Sequence, residues 1–159
     1  MVELTDANIK LIKDTLNSSP FYKLIGMEVV DIKENYSKLR IPFKKELLQI
    51  QGVAHGGVVA SIADAAVAIA LFSLVDLNDI LSTIELKVNY LAPIRSGEIV
   101  AEGKIVHKGS RIALGDAEVR NEGRLVGKAL ATYMIIKSES NGFTVSKRTR
   151  KQKISWLDK

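Results

Sequence analysis

The stretch that most constrains this chain is residues 58–75, an almost unbroken apolar run in which only Ser61, Asp64 and Ser73 are polar. A helix that is apolar on nearly every face is a buried one. The run approaches membrane-spanning length, but a carboxylate and two serines interrupt it. It is also rich in alanine, as expected where a sheet wraps closely around a helix. The run is therefore read as the core helix of a cytoplasmic protein with no membrane partner. Immediately before it stand His55, Gly56 and Gly57. Burying an ionised carboxylate is costly unless it is paired or put to use, so Asp64 needs a partner or a task.

Composition narrows the class. The 159 residues fit one domain, and 47% hydrophobic residues supply a real core. With no cysteine there is no disulfide framework and no thiolate metal site or nucleophile. The two histidines, His55 and His107, show no ligand spacing, and no metal is expected. The first residues lack the basic region and apolar run of a secretory leader. The net charge of +5 is uneven: residues 137–159 hold seven Lys/Arg and two acids, whereas residues 1–136 balance at 16 of each sign. The pI of about 9.4 is thus a property of the tail and says little about what the body binds.

Taken in order, Thr5 or Asp6 can cap a first helix over 5–19, with Ile9, Ile12 and Leu16 at helical spacing. Residues 21–26 read as a connector that buries apolar side chains. Residues 27–33 and 37–43 read as a hairpin turning at Glu34 and Asn35, with Leu39, Ile41 and Phe43 opposite Lys38 and Arg40. A loop over 44–54 leads to the core helix. Beyond it the spacing predicts a meander of four strands over 81–91, 98–108, 112–120 and 125–136. In the first of these, Ile84, Leu86, Val88 and Tyr90 alternate with Glu85, Lys87 and Asn89. Antiparallel strands with a segregated helix indicate an α+β fold, one antiparallel sheet wrapped around a long central helix. The far face of that sheet also needs cover, and a second subunit is the expected cover.

The start of the core helix offers backbone N–H groups with partial positive charge, suited to developing negative charge. Gly56 and Gly57 let a substrate approach that backbone, so a thioester or ester carbonyl could be polarised there. Gly57, Ser61 and Asp64 share one helix face. A carboxylate in an apolar wall can serve as general base on water or as nucleophile. At about 1.5 Å rise per residue, Asp64 lies roughly 10 Å along the axis from Gly57. The two parts therefore do not meet easily within one chain, and two antiparallel copies would bring one chain's Asp64 to the other's helix start.

His55-Gly56-Gly57, with Asp64 nine residues after the histidine, resembles the hotdog-fold acyl-CoA thioesterases of the phenylacetate-pathway (PaaI-like) type. The stretch from Thr83 through Tyr90 to Pro93, then Gly97 and Glu98, is similar to that family's strand and turn after the helix. Lys108 to Arg111, Asn121 to Val126 and Ala129 to Thr132 are similar to its last two strands. The resemblance spans about residues 21–136. It implies Asp64 as catalytic base or nucleophile, the Gly56 N–H, with Gly57, as donor to the thioester carbonyl, and His55 as the residue ordering loop and substrate. It implies Thr83 near the attacking water. Gln49 stands where the family usually has Asn. It places Arg95 and the Gly109-Ser110-Arg111 turn where relatives contact coenzyme A, whose phosphates favour Arg. Ser61 is a packing residue beside the substrate path. The family also implies a homo-oligomer, at least a dimer and by resemblance a tetramer, and no cofactor beyond the coenzyme A of the substrate.

Two other functions fit less well. A non-catalytic acyl-CoA-binding regulator would use the basic tail on nucleic acid, but no helix-turn-helix pattern is present and short basic runs are weak signals. An enoyl-thioester hydratase on the same fold wants a histidine base aligned with a carboxylate. Residues 1–136 thus read as a hotdog thioesterase domain and 137–159 as a basic extension. Within that extension 141–146 reads as a short added strand, and Trp156 as packing on the body or a neighbour.

Overall fold

A computed structural model describes residues 4–76 and 78–137. Residues 138–159, with the expected strand over 141–146, the basic cluster and Trp156, lie outside the described residues.

The chain opens with helix α1, Asp6–Asn17, capped by Thr5, whose hydroxyl accepts from the Asn8 N–H at 3.3 Å. Asn17 Oδ1 accepts from the Val29 N–H at 2.8 Å and ties the helix end to the sheet. Residues expected as a connector instead form a second helix, α2, Pro20–Ile25. The local chemistry explains it: proline suits the first helical turn, and Gly26, at φ +75°, takes the left-handed residue that ends a helix. Nor does this segment bury all its apolar side chains. Tyr22 and Ile25 pack on the core, but Phe21 and Leu24 stay exposed.

Strands β1, Glu28–Lys33, and β2, Tyr36–Pro42, form the expected hairpin, with Asn35 at φ +58° in the turn. Leu39 and Ile41 are fully buried. A short 3₁₀ turn, Lys45–Leu47, breaks the following loop, and a single bridge joins Leu48 to Ala54. Helix α3, Gly56–Phe72, begins with both glycines inside its first turn and His55 as its cap. Ile62, Ala63, Ala66, Val67, Ile69, Ala70 and Leu71 are completely shielded from solvent, as an all-apolar helix requires.

The remaining strands are β3, Ile80–Tyr90; β4, Glu98–Lys108; β5, Ile112–Asn121; and β6, Arg124–Ile136. All pair antiparallel in one six-stranded sheet of order β1-β2-β4-β5-β6-β3. The four-strand meander is therefore corrected: β4, β5 and β6 are consecutive neighbours, but β3 lies beyond β6, and β2 pairs with β4. The segment between β3 and β4 carries the crossover. It passes β6, where the Leu91 N–H donates to the Val126 carbonyl at 2.9 Å, and it buries Ile94. Alternation within a strand fixes its faces but not its neighbour, so the order was not readable from the pattern.

The sheet comes so close to α3 that three strand positions, Gly103, Gly115 and Gly127, have no side chain. A Cβ on Gly103 of β4 would lie 2.4 Å from the main-chain carbonyl of Ala66, and one on Gly115 of β5 would meet Val67 at 2.4 Å. The Ser37 hydroxyl, fully buried, donates to the Ala66 carbonyl at 2.6 Å. Strand β3 carries a bulge between Thr83 and Glu85. Thr83 pairs with Tyr133 and Leu86 with Ala131, leaving Ile84 as the extra residue, half exposed. Thr83 thereby stands on the α3 side, in phase with Leu86 and Val88, whereas simple alternation had put Ile84 there. The outer edge of β3 has no partner strand among the described residues. On the sheet's far face Ile112, Leu130, Met134 and Ile136 are more than 40% exposed, beside an ion-pair ladder of Asp116, Lys128, Glu118 and Arg120.

Candidate active site

Asp64 is half-buried on α3, and its partners come from the sheet. The Thr83 hydroxyl lies 3.1 Å from Oδ1 and 3.2 Å from Oδ2. The Tyr133 hydroxyl donates to Oδ1 at 2.5 Å and stands 2.8 Å from the main-chain oxygen of the same residue. Ser61, the one polar neighbour on the helix face, turns away: its hydroxyl donates to the Gly57 carbonyl at 2.7 Å. Burial, and then the hydrogen bond to Asp64, hold the Tyr133 phenol far above its usual range, so it stays a donor at any working pH. Tyr22 of α2 lies close enough to feel the charge of the carboxylate. Burial first, and the Asp64 charge second, push its phenol up to about 12.

The other half of the candidate site is the start of α3. His55 Nδ1 accepts from the Gly57 N–H at 2.9 Å. An accepting Nδ1 on a neutral ring puts the proton on Nε2. The Gly57 N–H is thus engaged, and the Gly56 N–H, first in the helix, meets no acceptor among the described residues. The ring of Tyr90 lies against Gly56: a Cβ there would come 3.2 Å from Tyr90 Cε1.

Two grooves flank this helix start. One, of about 360 Å³, is lined by Gln49, Gly56, Tyr90, Pro93 and Arg95 among others. The second, of about 420 Å³, is mostly apolar, with Phe21, Ile25, Leu47 and Val58 beside His55, Gly57 and Ser61. Both fall within the size range of small-molecule sites.

The structure therefore gathers the expected residues into separate groups. Asp64 joins Thr83. Gly56 joins Gln49 and Arg95; His55 joins Gly57 and Ser61. Gly109, Ser110 and Arg111 form the β4–β5 turn, at the sheet end where the Arg111 carbonyl accepts from the Ile135 N–H at 2.7 Å, and they line neither groove. Among the described residues no hydrogen bond links the Asp64 group to the helix start. Tyr133, Tyr22 and Tyr90 were missed by sequence reasoning. For Tyr133 a signal existed: it shares the inward phase of β6 with Ala129, Ala131 and Ile135, and a tyrosine on a buried face needs a partner for its hydroxyl. Among the described residues no three His, Asp or Glu are placed to hold a metal, and no helix is long and apolar enough to cross a membrane.

A curled antiparallel sheet around one buried helix, with a carboxylate and an exposed helix start on that helix, defines the hotdog class. Residues 51–128 match the thioesterase superfamily, and the chain belongs to it, a family of hydrolases that cleave thioesters. It is 31% identical over 134 residues to the medium/long-chain acyl-CoA thioesterase YigI of Escherichia coli strain K12, covering 73% of this chain and 85% of that one. Its fold is similar to that of thioesterase HI1161 from Haemophilus influenzae, at a TM-score of 0.77 and 22% identity over 89% of this chain and 97% of that one. It is similar also to a variant of the phenylacetic acid degradation protein PaaI from Thermus thermophilus, at a TM-score of 0.67 and 24% identity, covering 73% and 98%. At those identities the two structures speak for the shared fold alone.

Proposed function

We propose that this protein hydrolyses acyl-CoA thioesters to a free acid and coenzyme A, and that Asp64 drives the attack. The observation that carries this reading is the carboxylate itself. It is held by two hydroxyl donors on the buried helix whose first N–H, on Gly56, meets no acceptor among the described residues. The Gly56 N–H polarises the thioester carbonyl. As general base, Asp64 takes a proton from water while the water oxygen bonds to the carbonyl carbon; as nucleophile, its own oxygen makes that bond and water releases the acyl group afterwards. In either course the carbon–sulfur bond breaks, and the departing thiolate of coenzyme A takes up a proton. Thr83 steadies the carboxylate, His55 orders the helix start, and Gln49 offers an amide beside Gly56. No cofactor enters beyond the coenzyme A of the substrate.

A second copy completes the site. Strand β3 presents an edge of 11 residues with no partner among the described strands, and such an edge is a template for another strand. Helix α3 runs against β3 so that Gly56 lies beside Tyr90 and Asp64 beside Thr83, the two ends of that strand. A two-fold antiparallel pairing of β3 with its copy sets one chain's Tyr90 end next to the other's Thr83 end. Gly56 of one subunit then faces Asp64 of the other. The apolar cluster of Ile112, Met134 and Ile136 offers a further contact by which dimers join into a tetramer.

The two grooves differ in chemistry, and the substrate divides in the same way. The apolar groove under α2 suits the acyl chain, and the groove with Gln49 and Arg95 suits the polar arm of coenzyme A. The named activity of YigI on medium and long acyl chains agrees with an apolar acyl groove. The test is a hydrolysis screen over short, long, branched and aromatic acyl-CoA esters, read as released thiol. The chain has no cysteine, so the protein adds no thiol of its own. Medium and long acyl chains are expected to turn over fastest. Saturable binding with no thiol release from any ester would make the protein a binding module and overturn the proposal.

A further inference from the structure

The two oxygens of Asp64 are not equivalent. Oδ1 receives the Tyr133 hydroxyl at 2.5 Å and also lies 3.1 Å from Thr83 Oγ1. Oδ2 has only the Thr83 hydroxyl, at 3.2 Å, shared with Oδ1. From the geometry we propose that Tyr133 is a positioning residue of the reaction: its hydroxyl fixes Oδ1 and leaves Oδ2 as the oxygen that reacts. The inference rests on the reading of Asp64 as the group that drives hydrolysis, and it names which half of that group does so.

The second acceptor of Tyr133 strengthens the assignment. Its hydroxyl stands 2.8 Å from the main-chain oxygen of Asp64, within hydrogen-bond range. While the carboxylate is charged, the proton of the phenol points at Oδ1, the stronger acceptor. Once Oδ2 has taken a proton, the phenol can turn to the main-chain oxygen. A buried hydroxyl thereby keeps a partner in both protonation states of Asp64, and neither half of the cycle strands a polar group. Among the described residues, the titratable groups facing Asp64 are Tyr133 from β6 and Tyr22 from α2, while β3 contributes the Thr83 hydroxyl.

A hydrogen bond to the charged form of a carboxylate favours that form. Its removal by Tyr133→Phe, which keeps the ring and its packing, is expected to lower kcat about tenfold and leave KM unchanged. In an Asp64→Asn background the same substitution changes the residual rate no further, because the reactive oxygen that Tyr133 positions is gone. Replacement of Tyr133 by 3-fluorotyrosine, which keeps the hydroxyl on a ring of nearly the same size, retains kcat and gives a readout should the phenylalanine variant fold poorly. An unchanged kcat in Tyr133→Phe, an equal loss in the fluorotyrosine variant, or an equal loss with Asp64→Asn already in place overturns the proposal. The ¹³C chemical shift of the Asp64 carboxylate at one fixed pH reads the bond without turnover: it changes in Tyr133→Phe, and an unchanged shift also overturns the proposal. Absence of hydrolysis of every acyl-CoA by the unaltered protein would instead sink the functional reading and leave the NMR result standing.

Discussion

Asp64→Ala is expected to lower kcat by a factor of about 10² to 10⁴, the usual contribution of a positioned base, while the melting temperature holds or rises. The two effects separate because of what surrounds the carboxylate. Removing one partner of a buried hydrogen bond normally strands the other, and the stranded group is the main source of the loss. Here Tyr133 keeps an acceptor, because the main-chain oxygen of residue 64 stays in place 2.8 Å away. Thr83 is exposed and can bond water. The alanine that replaces Asp64 joins a helix already rich in alanine, and alanine is the best helix former. Steady-state kinetics together with thermal melts would check both parts. Near-normal hydrolysis would show that Asp64 is not the group that drives the reaction. A large fall in stability would show that its role is structural.

Mixing two inactive proteins is expected to restore activity. If each site combines Gly56 of one subunit with Asp64 of the other, a dimer of one Asp64→Ala chain and one Gly56→Val chain holds one intact site and one doubly damaged one. Gly56→Val damages its half because a side chain there meets the Tyr90 ring, 3.2 Å from where a Cβ would sit, and closes the approach to the helix start. Random reassortment makes half of all dimers mixed, so the mixture should regain about a quarter of the unaltered activity under two-fold symmetry. Co-expression of the two variants with different tags, followed by assay of the doubly purified dimers, all of them mixed, should give about half of the unaltered activity. Activity no greater than the sum of the two parents would place the whole site within one chain.

The parts of this molecule that were legible in its sequence are those whose chemistry is local. The apolar run around Asp64 announced a buried helix, and His55 before two glycines announced its start. Alternation in residues 37–43 gave the hairpin its buried side, Leu39 and Ile41. What was not legible depends on pairing across the sheet. Nothing in residues 80–90 says that this strand lies beside β6 rather than β4. The bulge that releases Ile84 from the alternation breaks the two-residue rule that had set Ile84 in phase with Leu86 and Val88. Tyr133 lies 69 residues from Asp64, and only the register of β6 against β3 brings it to the carboxylate. The helix over 20–25 was missed although both its signals, Pro20 and Gly26, were present, because six residues are too few to show a helical period.

The carboxylate of Asp64 also inherits its direction from an unusually firm mounting. Two hydroxyls of the sheet hold α3, Ser37 at the main-chain oxygen of Ala66 and Tyr133 at Asp64, residues that stand two positions apart and so roughly 200° around the axis. With Gly103 and Gly115 allowing the sheet to touch the helix between them, α3 can neither roll nor slide. Most reactive groups ride on loops, which open locally and cheaply. This one stands on the helix at the centre of the buried core. Its aim needs no rearrangement before each turnover, so while the dimer holds, activity and fold should disappear at the same concentration of denaturant.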